Sequence, residues 1–247
     1  CAVDAVKRQL LFDFFKKKNQ FPPKRTDIAQ IYSVEPSPII KRQQAILNDE
    51  SKSLDERNAA YLAIRDEEVR RLNEAYDFNS IEGVNNIPVP CREVNGGSTT
   101  GRVEYYLRGT CFFNHWNAGK TELALACLRK AQELMFVSEM IWKRQDFLRL
   151  VEYLYEAGKD TEAEIQLKRI DDFCKQNGVL DDGSYNEARM IENAKTKRRD
   201  MQTLQWLQEN LPSIAPKSLS GFRRMRTTNS KNYQKLVTEA AKLGKQI

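Results

Sequence analysis

Shifted by 39 residues, one part of this 247-residue chain lies over itself. AGKTELALACLRKAQEL at 118–134 matches AGKDTEAEIQLKRIDDF at 157–173. Ala118, Gly119, Lys120, Ala124 and Leu128 recur as Ala157, Gly158, Lys159, Ala163 and Leu167, Arg129-Lys130 answers Lys168-Arg169, and Trp116 answers Tyr155. A segment repeated at such a period has to build one local unit twice. The unit these residues suit is a helical hairpin. The glycine permits a sharp turn, and Thr121 or Asp160 is placed to cap the helix that follows. Ala124 and Ala163 let two helices approach closely, and Leu128 and Leu167 fill the groove one turn later.

Gly119-Lys120-Thr121 also looks like the end of a nucleotide-binding loop. That reading fails. The loop's first glycine belongs at position 114, which is Asn114. The preceding RVEYYLRGTCFFNHW carries apolar residues at helical spacing instead of a buried strand, and no α/β alternation surrounds it. The second copy has Asp160 where the loop needs its hydroxyl.

Glycine at the hairpin, alanine five residues on, a bulky residue four later and alanine three after that is a pattern that resembles the tetratricopeptide repeat. Gly119, Ala124, Leu128 and Ala131 carry it in the first copy, and Gly158, Ala163 and Leu167, with Ile170 at the last position, in the second. The likeness covers about 102–176. Its period of 39 exceeds the family's 34, through a longer connector MFVSEMIWKRQ, and Phe112 and Val151 stand where the first helix has a small residue. The resemblance implies two divergent helical hairpins capped by flanking helices, with a groove for a peptide or helix of another protein. The contact residues it implies are the first-helix positions Tyr105, Arg108 and Asn114, with Arg144 and Tyr153 in the second unit.

The rest of the chain also reads as helical. Residues 3–18 form an amphipathic pattern through Val6, Leu10, Leu11, Phe14 and Phe15, stopped by FPPKR at 21–25. Ser53 and Glu56 have capping-box spacing and announce a helix at about 54–78 with Leu62, Val69, Leu72 and Tyr76 on one side. Gly, Asn, Pro, Ser and Thr dominate 79–101, which predicts a long irregular loop or linker. Ser184 and Glu187 repeat the capping-box spacing before a polar helix to about 210. Ser230 caps a final helix that Gly244 closes. The expectation is an all-α chain: a helical region at 1–78, a loop at 79–101, a helical-hairpin domain at 102–210 and a basic helical segment at 211–247.

Charge is uneven. Residues 1–25 hold seven Lys/Arg against two acids, and 216–247 hold eight against one. The ends are therefore +5 and +7, which leaves −6 for the middle of a chain whose net charge is +6. Such ends suit a solvated surface, an anionic partner such as nucleic acid, or docking on the acidic middle. At the C-terminal end Phe222, Met225 and Tyr233 interleave with Arg223, Arg224, Arg226, Lys231 and Lys235. Arginine holds phosphates and aromatics stack on bases, yet Phe222 and Met225 are three apart, a spacing that equally suits a core-facing helix side.

Little points to catalysis. His115 is the single histidine, and it is expected to be structural. Five cysteines, an odd number with no CxxC pair, read as reduced thiols, so neither metal nor cofactor is expected. An enzyme built only from carboxylates and lysines stays open. No apolar run approaches the ~20 residues a membrane helix needs, and the start shows no secretory cleavage pattern. The expectation is a cytoplasmic protein that binds another macromolecule, a protein or peptide first and nucleic acid through the basic ends second, without a membrane partner.

Overall fold

The two copies of the duplicated segment fold through the same turn. In the computed structural model, which describes residues 38–91, 100–138, 142–179 and 185–247, Ala118, Gly119 and Lys120 donate their backbone N–H groups to the carbonyls of Asn114, Trp116 and His115 at 3.1, 3.0 and 2.9 Å. Ala157, Gly158 and Lys159 donate to Tyr153, Tyr155 and Leu154 at 2.9, 3.2 and 2.9 Å, each pair displaced by the same 39 residues. The glycines sit at φ +73° and +79°, in the left-handed region that a β-carbon disfavours. The helices that follow run Thr121–Val137 and Asp160–Asn177. Thr121 and Asp160 do not cap them. A lysine precedes each, so the polar residue falls one position inside the helix; Lys120 occupies the cap and makes no capping bond, and the Asp160 carboxylate bonds Arg198.

The expected helix at 3–18, its FPPKR stop, residues 92–99 of the expected loop and Ser184 lie outside the described residues. Among those described the chain is all-α, with no strand, and no helix is long and apolar enough to cross a membrane. The chain divides into two compact units, one of residues 1–150 and 167–182, the other of 151–166 and 183–247.

In the first unit α1 (Pro38–Leu47) packs on α2 (Leu54–Ala75). Arg57 Nη1 donates to the Leu47 carbonyl at 3.0 Å, tying the end of α1 to the first turn of α2. The expected capping box is present: Ser53 Oγ accepts from Glu56 N, and Glu56 Oε2 accepts from Ser53 N. Of the expected side of α2, Leu72 is buried and Val69 and Tyr76 are half-buried, and only Leu62 departs. Ile64 and Leu72 are buried while Leu62 is 45% exposed. At about 100° per residue, Ile64 and Leu62 lie on opposite flanks of Leu72. The Ile64 flank also carries Glu68, which Arg102 holds at 3.0 Å, and that flank turns inward.

Residues 79–101 are not one irregular loop. Ser80 caps a short helix, α3 (Ile81–Asn85), by accepting from Gly83 N at 2.9 Å. Phe78, Val84 and Ile87 are buried. Composition hid this helix because its polar residues face out and three apolar ones anchor it. A second helix starts at Thr100, whose hydroxyl accepts from Cys91 N. It runs as α4 (Thr100–Tyr106), a π-helical turn (Leu107–Cys111) and α5 (Phe112–Asn117). Both α3 and this bulged helix pack on α6 (Thr121–Val137). From Leu123 to Leu128 every residue of α6 is buried, so α6 is the centre of the unit. Lys130 Nζ reaches the Ile87 carbonyl at 3.1 Å. His115 is structural as expected, buried with Nε2 2.9 Å from the Phe78 carbonyl. A 3-10 turn (Arg144–Phe147) leads into α7 (Leu148–Glu156), and Phe136, Phe147 and Phe173 form a triangle of rings with centroids 4.5–5.4 Å apart.

The second unit holds the end of α7, the start of α8 (Asp160–Asn177), then α9 (Glu187–Asn210), α10 (Leu219–Thr227) and α11 (Lys231–Lys242). Asn186 caps α9 by accepting from Arg189 N at 2.9 Å; the capping group therefore stands two residues after the serine of the expected box. Ser230 caps α11 and Gly244 follows it at φ +75°, both as expected. Leu204, Leu207, Phe222 and Leu236 form the core of the C-terminal helices, with Met225 and Tyr233 packed against it.

Candidate partner-binding surfaces

The π turn aligns a surface. Val103, Leu107, Cys111 and His115 are four residues apart and all buried. In an unbroken α-helix a four-residue spacing drifts by about 40° per step; the extra residue in the π turn takes up the drift. Tyr105, Gly109 and Phe113 share that spacing on a parallel line outside. Tyr105 is 71% exposed and Phe113 is also exposed. A β-carbon on Gly109 would meet nothing within 4 Å, so open space lies beside this part of the line.

Two arginines border it. Arg108 Nε bonds Glu104 Oε1 at 2.6 Å, with Glu104 buried, and the Arg108 guanidinium lies over the Trp142 ring at 5.7 Å. Arg149 stacks over Phe113 at 5.0 Å and donates from Nη1 to the Arg108 carbonyl at 3.0 Å, satisfying an acceptor within the π turn. The Trp142 indole N–H is buried without an acceptor. The line thus combines exposed aromatics with arginines whose geometry is already set, the residue types that dominate protein interfaces.

The sequence-predicted positions distribute as follows. Tyr105 lies on the exposed line, Arg108 is half-buried beside it, and Asn114 is exposed on α5. Arg144 bonds Asp171 at 2.8 Å in the same unit. Tyr153 belongs to the second unit, half-buried, with the Lys197 ammonium 5.6 Å from its ring. Sequence reasoning missed Phe113 and Arg149; a four-residue apolar spacing held over three steps, too long a drift for an α-helix, was the signal that could have found the bulge.

In the second unit the basic residues split. Asp200 is 3% exposed, and Arg226 grips it bidentately at 2.6 and 3.1 Å while Arg223 Nε donates at 2.7 Å. Burial pushes the Asp200 carboxyl up, but the bonds from Arg226 and Arg223 outweigh it and hold the carboxyl below its usual range. Arg224, Lys231 and Lys235 are exposed. Other pairs brace α9 against the turn at Gly158. Arg198 Nη1 bonds Asp160 at 2.5 Å and the Tyr155 carbonyl at 3.2 Å. Lys197 Nζ lies 2.8 Å from Glu156 Oε1 and 2.7 Å from Oε2, facing both oxygens of the buried carboxylate. Burial holds the Glu156 carboxyl above its usual range despite Lys197.

Cys91, Cys111, Cys127 and Cys174 are free and buried, and burial raises the thiols of Cys111 and Cys127 to about 12 and of Cys91 to about 11. Among the described residues no group of three or more His, Cys, Asp or Glu is arranged to hold a metal ion. Comparison with protein-family models, with curated proteins and with solved structures finds no match to this chain.

Proposed function

We propose that this chain is a non-enzymatic helical protein that binds another protein or a peptide through the outer line of its π-bulged helix. The observation that carries the reading is Tyr105: a large aromatic side chain, 71% exposed, aligned with Phe113 and bordered by Arg108 and Arg149, each already fixed by an ion pair or a ring contact. Side chains ordered before binding lose little entropy on contact, which favours affinity. The paired turns at Gly119 and Gly158 support the likeness to tetratricopeptide hairpins, whose stacked helices commonly present such surfaces. A cytoplasmic setting suits the buried reduced thiols.

A photo-crosslinking residue placed at Tyr105, and separately at exposed Met201 in the second unit, tests the reading in extract treated with nuclease. A discrete protein adduct formed from position 105 and absent from position 201 supports it. Equal labelling from both positions, or adduct formation unchanged when Phe113→Ala and Arg149→Ala are added, overturns it.

A further inference from the structure

We propose that the α10–α11 hairpin is a second, separate binding surface, and that its partner is the phosphate backbone of a nucleic acid, held without regard to base sequence. The segment 216–247 carries one acid, Glu239, and that carboxylate is engaged by Lys242 at 2.8 Å. Asp200 engages Arg223 and Arg226 from α9. Arg224, Lys231 and Lys235 remain exposed and carry no ion pair with a described residue.

The turn gathers these three. Asn229 adopts φ +45°, and Ser230 N donates to the Met225 carbonyl at 3.1 Å. Arg224 and Lys231 immediately flank that bond, one on each side. Lys235 follows Lys231 by one helical turn, about 6 Å along the axis. On α11 both lysines face away from Leu236 and Ala240, which are buried. The core contacts of Phe222, Met225 and Tyr233 therefore orient the cations outward and withdraw the aromatics from solvent.

That last point selects the mode of binding. An aromatic available for stacking would read or grip bases. Here Phe222 is buried and Tyr233 half-buried, so charge is what the surface offers. Exposed cations whose one acidic neighbour, Glu239, is already paired with Lys242 match a partner whose negative charges are dense. Duplex DNA carries one per about 1.7 Å of axis, and neutralising them releases counterions. Asn229 at the turn is an exposed polar residue of the kind that accompanies phosphate contacts, whereas the Thr227 and Thr228 hydroxyls donate to the Arg223 and Arg224 carbonyls.

The test is fluorescence anisotropy of a labelled scrambled-sequence duplex with the full chain and with the triple variant Arg224→Ala, Lys231→Ala, Lys235→Ala, at 50 to 200 mM salt. Those side chains are exposed, and circular dichroism verifies that the variant folds. The expected result is binding by the full chain that weakens with salt, and a log–log salt slope shallower by about 2.7 in the triple variant, three phosphate contacts at about 0.9 each. A second scrambled duplex should bind equally. No binding at 50 mM salt, an unchanged slope in the triple variant, or equal binding of poly-glutamate of matched charge overturns the proposal. None of these outcomes bears on the crosslinks from Tyr105.

Discussion

Asp200 on α9 receives both Nη groups of Arg226 on α10, at 2.6 and 3.1 Å, while almost wholly removed from solvent. The carboxylate is buried and the arginine is 41% exposed, so the pair is asymmetric: only the acid loses its hydration. Truncating each partner therefore has a different cost. Asp200→Ala is expected to destabilise the chain by about 2 kcal/mol, the worth of hydrogen bonds to charged groups. Arg226→Ala costs less, about 1 kcal/mol, because Arg223 still serves the carboxylate. Urea denaturation followed by circular dichroism reads both, and equal losses would count against the asymmetry.

The second unit responds to acid in two opposing steps. Hydrogen bonds to Arg198 hold the Asp160 carboxyl low, and those from Arg226 and Arg223 overcome burial to do the same at Asp200. A lowered carboxyl contributes stability that is present above the ordinary value of 3.8 and is lost as pH falls through the folded value. Glu156 is raised by burial, so its contribution is complete below 4.5 and is lost as pH rises through the folded value. Stability should rise slightly from pH 7 toward 4.5 and fall steeply below 3.8. Glu156→Gln should abolish the rise and keep the fall, as read from denaturation midpoints at pH 7, 4.5 and 2.5; a variant that tracks the parent at every pH refutes this assignment.

Gly119 and Gly158 make equal demands on their turns. Alanine at either position places a β-carbon at positive φ, at a cost of about 1–2 kcal/mol. Neither site adds a steric penalty of its own: Gly119 has open space, and at Gly158 the nearest atom, Arg198 Nη1, is an ordinary 3.4 Å away. Asparagine, which tolerates the left-handed region, should recover part of the loss at both. Chemical denaturation of the four single variants measures it, and a large inequality between the two alanine variants would show that the turns are not equivalent.

Cys111 and Cys127, with thiols near 12, should be inert. At pH 8 almost none is thiolate, and the thiolate is the reactive form. Native protein treated with iodoacetamide should show neither residue alkylated by peptide mass spectrometry, and both alkylated in urea. Modification of Cys111 or Cys127 in the native state at the rate of a free thiol would show that their burial is not maintained.

The local devices were legible because they depend on neighbours in sequence. Ser53 with Glu56, Ser230, Gly119, Gly158 and Gly244 each act within a few residues, and the structure places each where spacing put it. The helix at Ile81–Asn85 escaped because it is anchored on α6, more than thirty residues later, and the buried Phe78 before it packs on Tyr106. The sequence places Leu62 inward because both flanks of Leu72 carry an apolar residue; the ion pair between Glu68 and distant Arg102 lies on the other flank.

For the candidate surfaces the division is the same. Residue types and periods along the chain were enough to determine an all-α protein with a duplicated glycine turn and a basic C-terminal hairpin, since helix propensity, capping and positive φ are properties of short stretches. Only the tertiary structure decided which cations are engaged and which are exposed, and that Tyr105 and Phe113 share one line. A buried carboxylate such as Asp200 selects its arginines by proximity across helices, and a π turn resets a helix face by a single hydrogen-bond shift that no residue type announces.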